Sequence, residues 1–270
     1  SQNKALQLMM SSKQLNLIVN LIKLPNTVIK DSDKYSFQTR LQILKKVDGE
    51  WTETDSPELN EKGPNRYGTF KDVFNNNVVL VIGTAGNSEE NDWAYKKARY
   101  DSEQFWYGGN GAFEIVTDEV YLDGDYTGRN VVVYGNSETN KVWSTLLDDS
   151  PVTISRKNIS IGENIIEGEN LALLLIRPLK SQNDISVGVV AGTGLEGLKL
   201  TYKRPYLKPG FTYPDFTVFS TDLIKGDEKG YKAAGIFGLD WSLDNGEYYF
   251  SKYWRPFPTR HHPFDVQTYH

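Results

Sequence analysis

Two corners of this sequence set a hydroxyl beside an amide and a carboxylate directly after a glycine, Gly86-Asn87-Ser88-Glu89 and Gly135-Asn136-Ser137-Glu138. Each follows an apolar run, and the pattern Gly-Asn-Ser-Glu-x-Asn therefore occurs twice, at 86–91 and 135–140. A serine on a strand-to-helix turn is the front half of a nucleophile elbow, and hydrolysis there needs an imidazole base and an orienting carboxylate. Both corners lack the closing glycine of that motif, because Glu90 and Thr139 stand in its place. The only histidines are His261, His262 and His270, near the end of the chain. The same residue types serve as helix caps, since Asn87 or Ser88 can accept from an unpaired amide of the first turn. Glu89, Glu90 and Asp92 would place negative charge at the positive end of the helix dipole. The sequence thus assigns both serines to helix starts and names no catalytic residue.

Three further constellations could carry chemistry. Gly192-Thr193-Gly194-Leu195-Glu196-Gly197 satisfies G-x-G-x-x-G after a strand, with Asp215 at a suitable distance for a ribose contact. Pro205, Pro209 and Pro214 cut short the helix that a dinucleotide site requires, so no cofactor is expected. His261, His262 and Asp265 could be read as metal ligands, but adjacent histidines in a Pro-rich stretch point apart, and no metal is expected. Asp118 with Glu119, and Asp148 with Asp149, read as solvated charges. Trp241, Tyr248, Tyr249, Phe250, Tyr253 and Trp254 could stack on a sugar ring, although a contact between subunits or domains is the plainer use.

The elements that must position these residues are legible as patterns. Val78 to Ile82 is a continuous, mostly β-branched run, which suits a strand covered on both faces. In the helix that follows, Trp93, Ala94, Ala98, Phe105 and Trp106 form the expected apolar face, and Lys96, Lys97, Arg99 and Glu103 the polar one. Further strands are expected at Ala112–Val116, Asn130–Tyr134, Phe216–Phe219 and Tyr231–Phe237. A second helix is expected over about 137–147, and an edge hairpin over 152–161. Leu171–Ile176 and Ile185–Ala191, joined by a short polar link, must run antiparallel if they are neighbours. Before residue 62, Gln14–Leu24 and Tyr35–Leu44 alternate in the manner of half-exposed strands, and Asp48-Gly49 joins the second to Trp51–Thr54. The expected organisation is a small antiparallel β unit over 1–62, a three-layer, mostly parallel (flavodoxin-like) α/β domain over 63–255, and an irregular aromatic and Pro-rich tail over 256–270. In such a sheet ligands sit outside the carboxyl ends of the strands. A ligand pocket should therefore be lined by Thr84, Asn87 and Ser88, by Asn136 and Ser137, by Gly192, Thr193 and Gly194, and by Asp240 and Trp241.

Composition narrows the function classes. A net charge of −5 with no basic run argues against a nucleic-acid surface. Residues 1–62 carry 9 basic and 8 acidic side chains against 21 and 27 in the remainder, so the acidity belongs to the α/β part. The absence of cysteine excludes disulfides, thiolate metal sites and cysteine nucleophiles. No apolar stretch is long enough to span a bilayer, and no signal peptide opens the sequence, so Ser1 is expected to be a processed or truncated end.

Gly63-Pro64-x-Arg66-Tyr67-Gly68-x-Phe70, Val79-Leu80-Val81-x-Gly83-Thr84-Ala85-Gly86, Trp93-Ala94-Tyr95 and Ala98-Arg99-Tyr100-Asp101 stand in order along the chain. Tyr134-Gly135-Asn136, Arg177-Pro178, Tyr213-Pro214-Asp215 and Gly238-x-Asp240-Trp241 follow them. Together they resemble the C-terminal, non-catalytic region of secreted bacterial prolyl oligopeptidase-like α/β-hydrolase proteins, over about 35–242. The resemblance implies that a peptidase domain carrying serine, aspartate and histidine precedes a small β unit and then this α/β region. What it implies for this chain is a secreted or periplasmic accessory role in docking, assembly or substrate positioning, with a peptidase domain or an identical subunit as partner. The alternatives are a hydrolase with its own site at the carboxyl edge, and a module that binds peptide or carbohydrate.

Overall fold

The computed structural model describes residues 17–22, 40–47, 50–54, 60–63, 65–226 and 228–251. The tail over 256–270, with His261, His262, Asp265 and His270, lies outside the described residues, as do Tyr253 and Trp254.

A first sheet is antiparallel and orders β1 (Leu17–Ile22), β2 (Arg40–Val47) and β3 (Glu50–Thr54) in sequence. Its second ladder closes with Val47 opposite Glu50, the register of the two-residue hairpin expected from Asp48-Gly49.

The larger sheet contains β4 (Val78–Ile82), β5 (Glu114–Thr117), β6 (Asn130–Tyr134), β10 (Leu171–Pro178), β11 (Ser186–Gly192), β12 (Phe216–Ser220), β13 (Tyr231–Ile236) and β14 (Glu247–Phe250). Their spatial order is β14-β13-β12-β10-β11-β6-β4-β5. β5, β4, β6 and β11 are mutually parallel, whereas β10, β12, β13 and β14 each run antiparallel to the neighbour on their β11 side. The fold is α/β as expected, but the sheet is mixed: the parallel part stops at β11. The reason is the short link over 179–185, which turns β10 straight back into β11, with Leu174 opposite Val190. β7 (Val152–Ile154), β8 (Asn158–Ile161) and β9 (Asn164–Glu167) form a separate antiparallel sheet rather than an edge hairpin of the large one.

The helices are α1 (Ser88–Gly109), α2 (Asp118–Asp123), α3 (Trp143–Leu146) and α4 (Leu195–Leu200). The helix expected over 137–147 is a single turn, because residues 137–140 form a tight turn instead. α2 begins at Asp118 and Glu119, the pair read from sequence as solvated charges. β14 is a strand for which the sequence supplies no expectation.

On α1 the sequence pattern misplaces two residues. Lys97 is buried and Trp106 is 57% exposed. The inward face is Glu90, Trp93, Ala94, Lys97, Ala98 and Asp101, and the two central charges are tolerated because they meet each other. Lys97 Nζ donates to Asp101 and to the Tyr206 hydroxyl, while the Tyr134 and Tyr206 hydroxyls both donate to the other Asp101 oxygen. Burial pushes the Lys97 ammonium down, with Asp101 opposing it, and pushes both phenols well above their ordinary range. The cluster pins α1 against β6 through Tyr134. Gly188 and Gly192 share that face of the sheet with Tyr134, because Tyr134 pairs with Val190 between them. Val73 packs over Gly188 and the backbone of α4 over Gly192, so α1, α4 and the 3₁₀ turn Phe70–Phe74 lie on one side.

α4 comes so close that a Cβ on Gly197 would stand 1.9 Å from the Leu171 carbonyl oxygen. Gly197→Ala is expected to cost more than about 2 kcal/mol. A methyl on Gly108 in α1 would meet nothing within 4 Å. Gly108→Ala should therefore add about 0.5–1 kcal/mol. Urea unfolding of the two variants beside the parent checks both signs.

Candidate functional site

β4 and β6 lie side by side, and the chain leaves them in opposite directions within the sheet, to β5 and towards β11. That is the kind of switch point where open α/β sheets place ligands. Thr84, Asn87, Ser88, Asn136 and Ser137 all stand at this edge, as the sequence expects. Most of the polar groups that define the edge are hydrogen-bonded within the protein, and Ser88 stands exposed.

Asn87 caps α1: its side-chain oxygen accepts from the Glu89 and Glu90 amides at 3.0 Å, and Glu90 Oε2 accepts from the Asn87 amide at 2.8 Å. This reciprocal pair is a capping box and leaves Ser88 as the first, exposed residue of the helix. Thr84 donates from its amide and hydroxyl to Asp118 at 3.1 and 2.7 Å. Asp118 also accepts from the Glu119 and Lys141 amides, so this buried carboxylate, read from sequence as solvated, has four donors. At the second corner Asn136 accepts from the Glu138 amide and donates to the Gly192 carbonyl, each at 3.0 Å, tying the end of β6 to the end of β11. Ser137 donates its hydroxyl to the Ile154 carbonyl at 2.8 Å and so holds β7 rather than a substrate.

Arg156, in the turn between β7 and β8, bridges the two corners. Its Nε and one terminal nitrogen donate to the two Glu90 oxygens at 2.9 Å, and its amide donates to Glu138 at 2.6 Å. The Arg156 guanidinium, with the Asn87 amide, holds the Glu90 carboxyl below its ordinary value against the effect of burial. Sequence reasoning did not single out Arg156, because one arginine in a polar turn carries no spacing signal.

Gly192, Thr193 and Gly194 lie at the same edge but face protein. Leu171 donates to the Thr193 hydroxyl at 3.1 Å, a Cβ on Gly194 would meet the Glu169 carbonyl at 2.5 Å, and Gly192 abuts the backbone of α4. The three glycines of G-x-G-x-x-G thus admit the chain's own backbone where a dinucleotide fold admits pyrophosphate.

Asp240 and Trp241 do not join this edge. They follow β13, which runs opposite to β4, and so lie at the amino end of the parallel strands. Asp240 accepts from Ser242 and Asn245, closing a local turn, and this offsets the effect of burial enough to hold its carboxyl below the ordinary range. Trp241 is buried with the Lys62 ammonium 4.8 Å and the Arg66 guanidinium 5.6 Å from its ring centre, and Arg177 donates to its carbonyl. Asp215 belongs to the same cluster. It accepts from Lys62, from the Thr69 amide at 2.6 Å and from the Phe237 amide at 2.8 Å, and so anchors Lys62 and Thr69 instead of contacting a ribose.

Among the described residues no group of three His, Asp or Glu side chains could hold a metal ion, and no helix is long and apolar enough to cross a membrane. No family model matches the chain, and no curated protein matches it.

Asn87→Ala should destabilise the protein by about 1 kcal/mol, and Ser88→Ala by less than about 0.5 kcal/mol, in denaturant titrations. The Glu90 contribution has a definite sign. Its carboxyl is lower in the folded than in the unfolded chain, so the stabilisation is complete above the ordinary value of 4.5 and is lost as pH falls through the folded value. Arg156→Leu should therefore lower the urea midpoint at neutral pH, with the gap to the parent closing in acid.

Proposed function

We propose that the chain is a non-catalytic accessory region of a secreted or periplasmic prolyl oligopeptidase-like hydrolase, which docks a catalytic domain or a second copy and so positions substrate. The observation that carries this reading is the state of the carboxyl edge: the Thr84 and Ser137 hydroxyls and the Asp118 and Glu90 carboxylates are bonded to backbone or to Arg156. A nucleophile needs a free hydroxyl with a base in reach; the bonded groups at this edge maintain the turn, and the exposed Ser88 hydroxyl is the one the labelling test addresses. The outward side of α1 supports the docking half of the proposal, since Tyr95, Trp106 and Tyr107 are all exposed there. Aromatic side chains presented to solvent are enriched at interfaces.

The parallel half is read as flavodoxin-like and three-layered, an interpretation whose flavodoxin-like part is supported by the order β5-β4-β6-β11, with α1 and α4 as one of its two helical layers. On that reading β10 and β12–β14 are an antiparallel extension.

The purified chain should show no turnover of proline-containing peptides or aryl esters and no labelling by a serine-directed fluorophosphonate. Labelling that disappears in Ser88→Ala or Ser137→Ala would overturn the non-catalytic reading. Replacing Trp106 and Tyr107 together by serine should weaken self-association, or capture of a prolyl oligopeptidase-like catalytic domain, by at least about tenfold in sedimentation experiments.

A further inference from the structure

We propose that the outward face of α1 binds a second copy of this chain, the two helices packing antiparallel about a twofold axis. The inference rests on the docking half of the accessory reading and names its partner. Because Glu90, Trp93, Ala94, Lys97, Ala98 and Asp101 point inward, the opposite side of the helix carries Asp92, Tyr95, Lys96, Arg99, Glu103, Trp106 and Tyr107. All of these are exposed, Trp106 and Tyr107 by 57% and 82%.

The aromatic side chains supply contact area, and the charges among them select the partner. Two ion pairs lie on this side, Lys96 with Asp92 at 2.7 Å and Arg99 with Glu103 at 2.9 Å. From the amino end the charges run acidic, basic, basic, acidic, so these four side chains cancel. A strongly charged partner gains nothing from such a face, whereas a copy carrying the same pattern can match it charge for charge.

The spacing fixes how the two copies meet. In an antiparallel pair with its twofold axis at the level of Asp101, each residue faces the one equally far beyond that level. Arg99 then faces the partner's Glu103, and symmetry repeats the contact. Tyr95 faces the partner's Tyr107, and Lys96 faces the partner's Trp106, a cation beside an indole. At about 3.6 residues per turn, the two members of each pair also stand at equal and opposite angles from the outward pole, so both reach the seam. Sliding one helix by about two turns instead sets Asp92 against Glu103 and Lys96 against Arg99, like against like. α1 has 22 residues, and at about 1.5 Å each a strip about 10 Å wide covers roughly 330 Å² per copy. A standard interface takes about 800 Å² from each partner, so this association is weak, with a dissociation constant on the order of 100 μM.

Sedimentation equilibrium of the full chain from about 10 μM to about 1 mM should show a reversible exchange between monomer and dimer. Arg99→Glu and Glu103→Arg should each weaken it by at least about tenfold, because each sets like charges across the seam. Mixing the two variants should restore association to near the parental level, since each supplies the charge that the other's seam lacks. Both side chains are exposed, so the variants should melt close to the parent. A chain that stays monomeric throughout that range, single variants that associate like the parent, or a mixture that associates no better than either variant alone would overturn the proposal. A monomer that still captures a catalytic domain sinks this inference and leaves the accessory reading standing, whereas a dimer that turns over peptides does the reverse.

Discussion

Where β4 and β6 end side by side, the amide of Asn140 donates to both the Val81 and the Tyr134 carbonyls, at 3.1 Å each. Buried carbonyls at the end of a strand need donors, and here one side chain from the following turn supplies two strands at once. Asn140 can reach them only if the turn over 136–140 folds back against Gly83, and the Thr139 carbonyl accordingly accepts from the Ala85 amide at 3.1 Å. A Cβ on Gly83 would stand 2.2 Å from that carbonyl. The switch-point crevice is thereby zipped shut by the backbone, and the rest of the carboxyl edge follows. Asn136 is free to reach Gly192, Ser137 to reach Ile154, and Arg156 to span the two corners above.

Two buried ionic clusters then fix what packs on this sheet. Lys97 and Asp101 lock α1 to Tyr134 and Tyr206, and Asp215 holds Lys62 and Thr69 at the opposite edge. Taking such pairs out of water costs several kcal/mol per ion, and Coulomb attraction alone does not guarantee a net gain. Their extra hydrogen bonds are what offset the cost: two phenols share Asp101, and two backbone amides share Asp215. Removing one partner would leave the other charge buried, so these pairs specify geometry more than they add stability. The Asp215 pair also fixes where the preceding chain enters the α/β domain.

The sequence made legible what depends on local chemistry. β4, β6, β11, the start of α1 and the antiparallel turn from β10 to β11 were all readable, because apolar runs, a capping box and a short link each act within a few residues. Lys97 was misread because helical periodicity ranks residue types, while its burial depends on Tyr206, more than a hundred positions away. Asp240 and Trp241 were misplaced for a topological reason. Their loop follows a strand as the others do, but the reversal at β10 sends β13 the other way, and nothing near residue 240 records that reversal. Arg156 and Asp118 were missed as members of the edge because their partners come from three separate turns.

The same reversal decides where this molecule can present polar chemistry. In a fully parallel sheet every strand's carboxyl end converges on one crevice, but here four parallel strands meet four that alternate. The parallel half spends its edge on closing Gly83 against Thr139 and on tying β6 to β11. The antiparallel half brings the end of β12 beside the starts of β10 and β13, with α4 packed against the start of β10. Of the side chains at those ends, Ser220 is buried, and both it and Lys232 donate to Asp222. The glycine-asparagine-serine corners are thus the posts of an edge held together by the chain's own backbone.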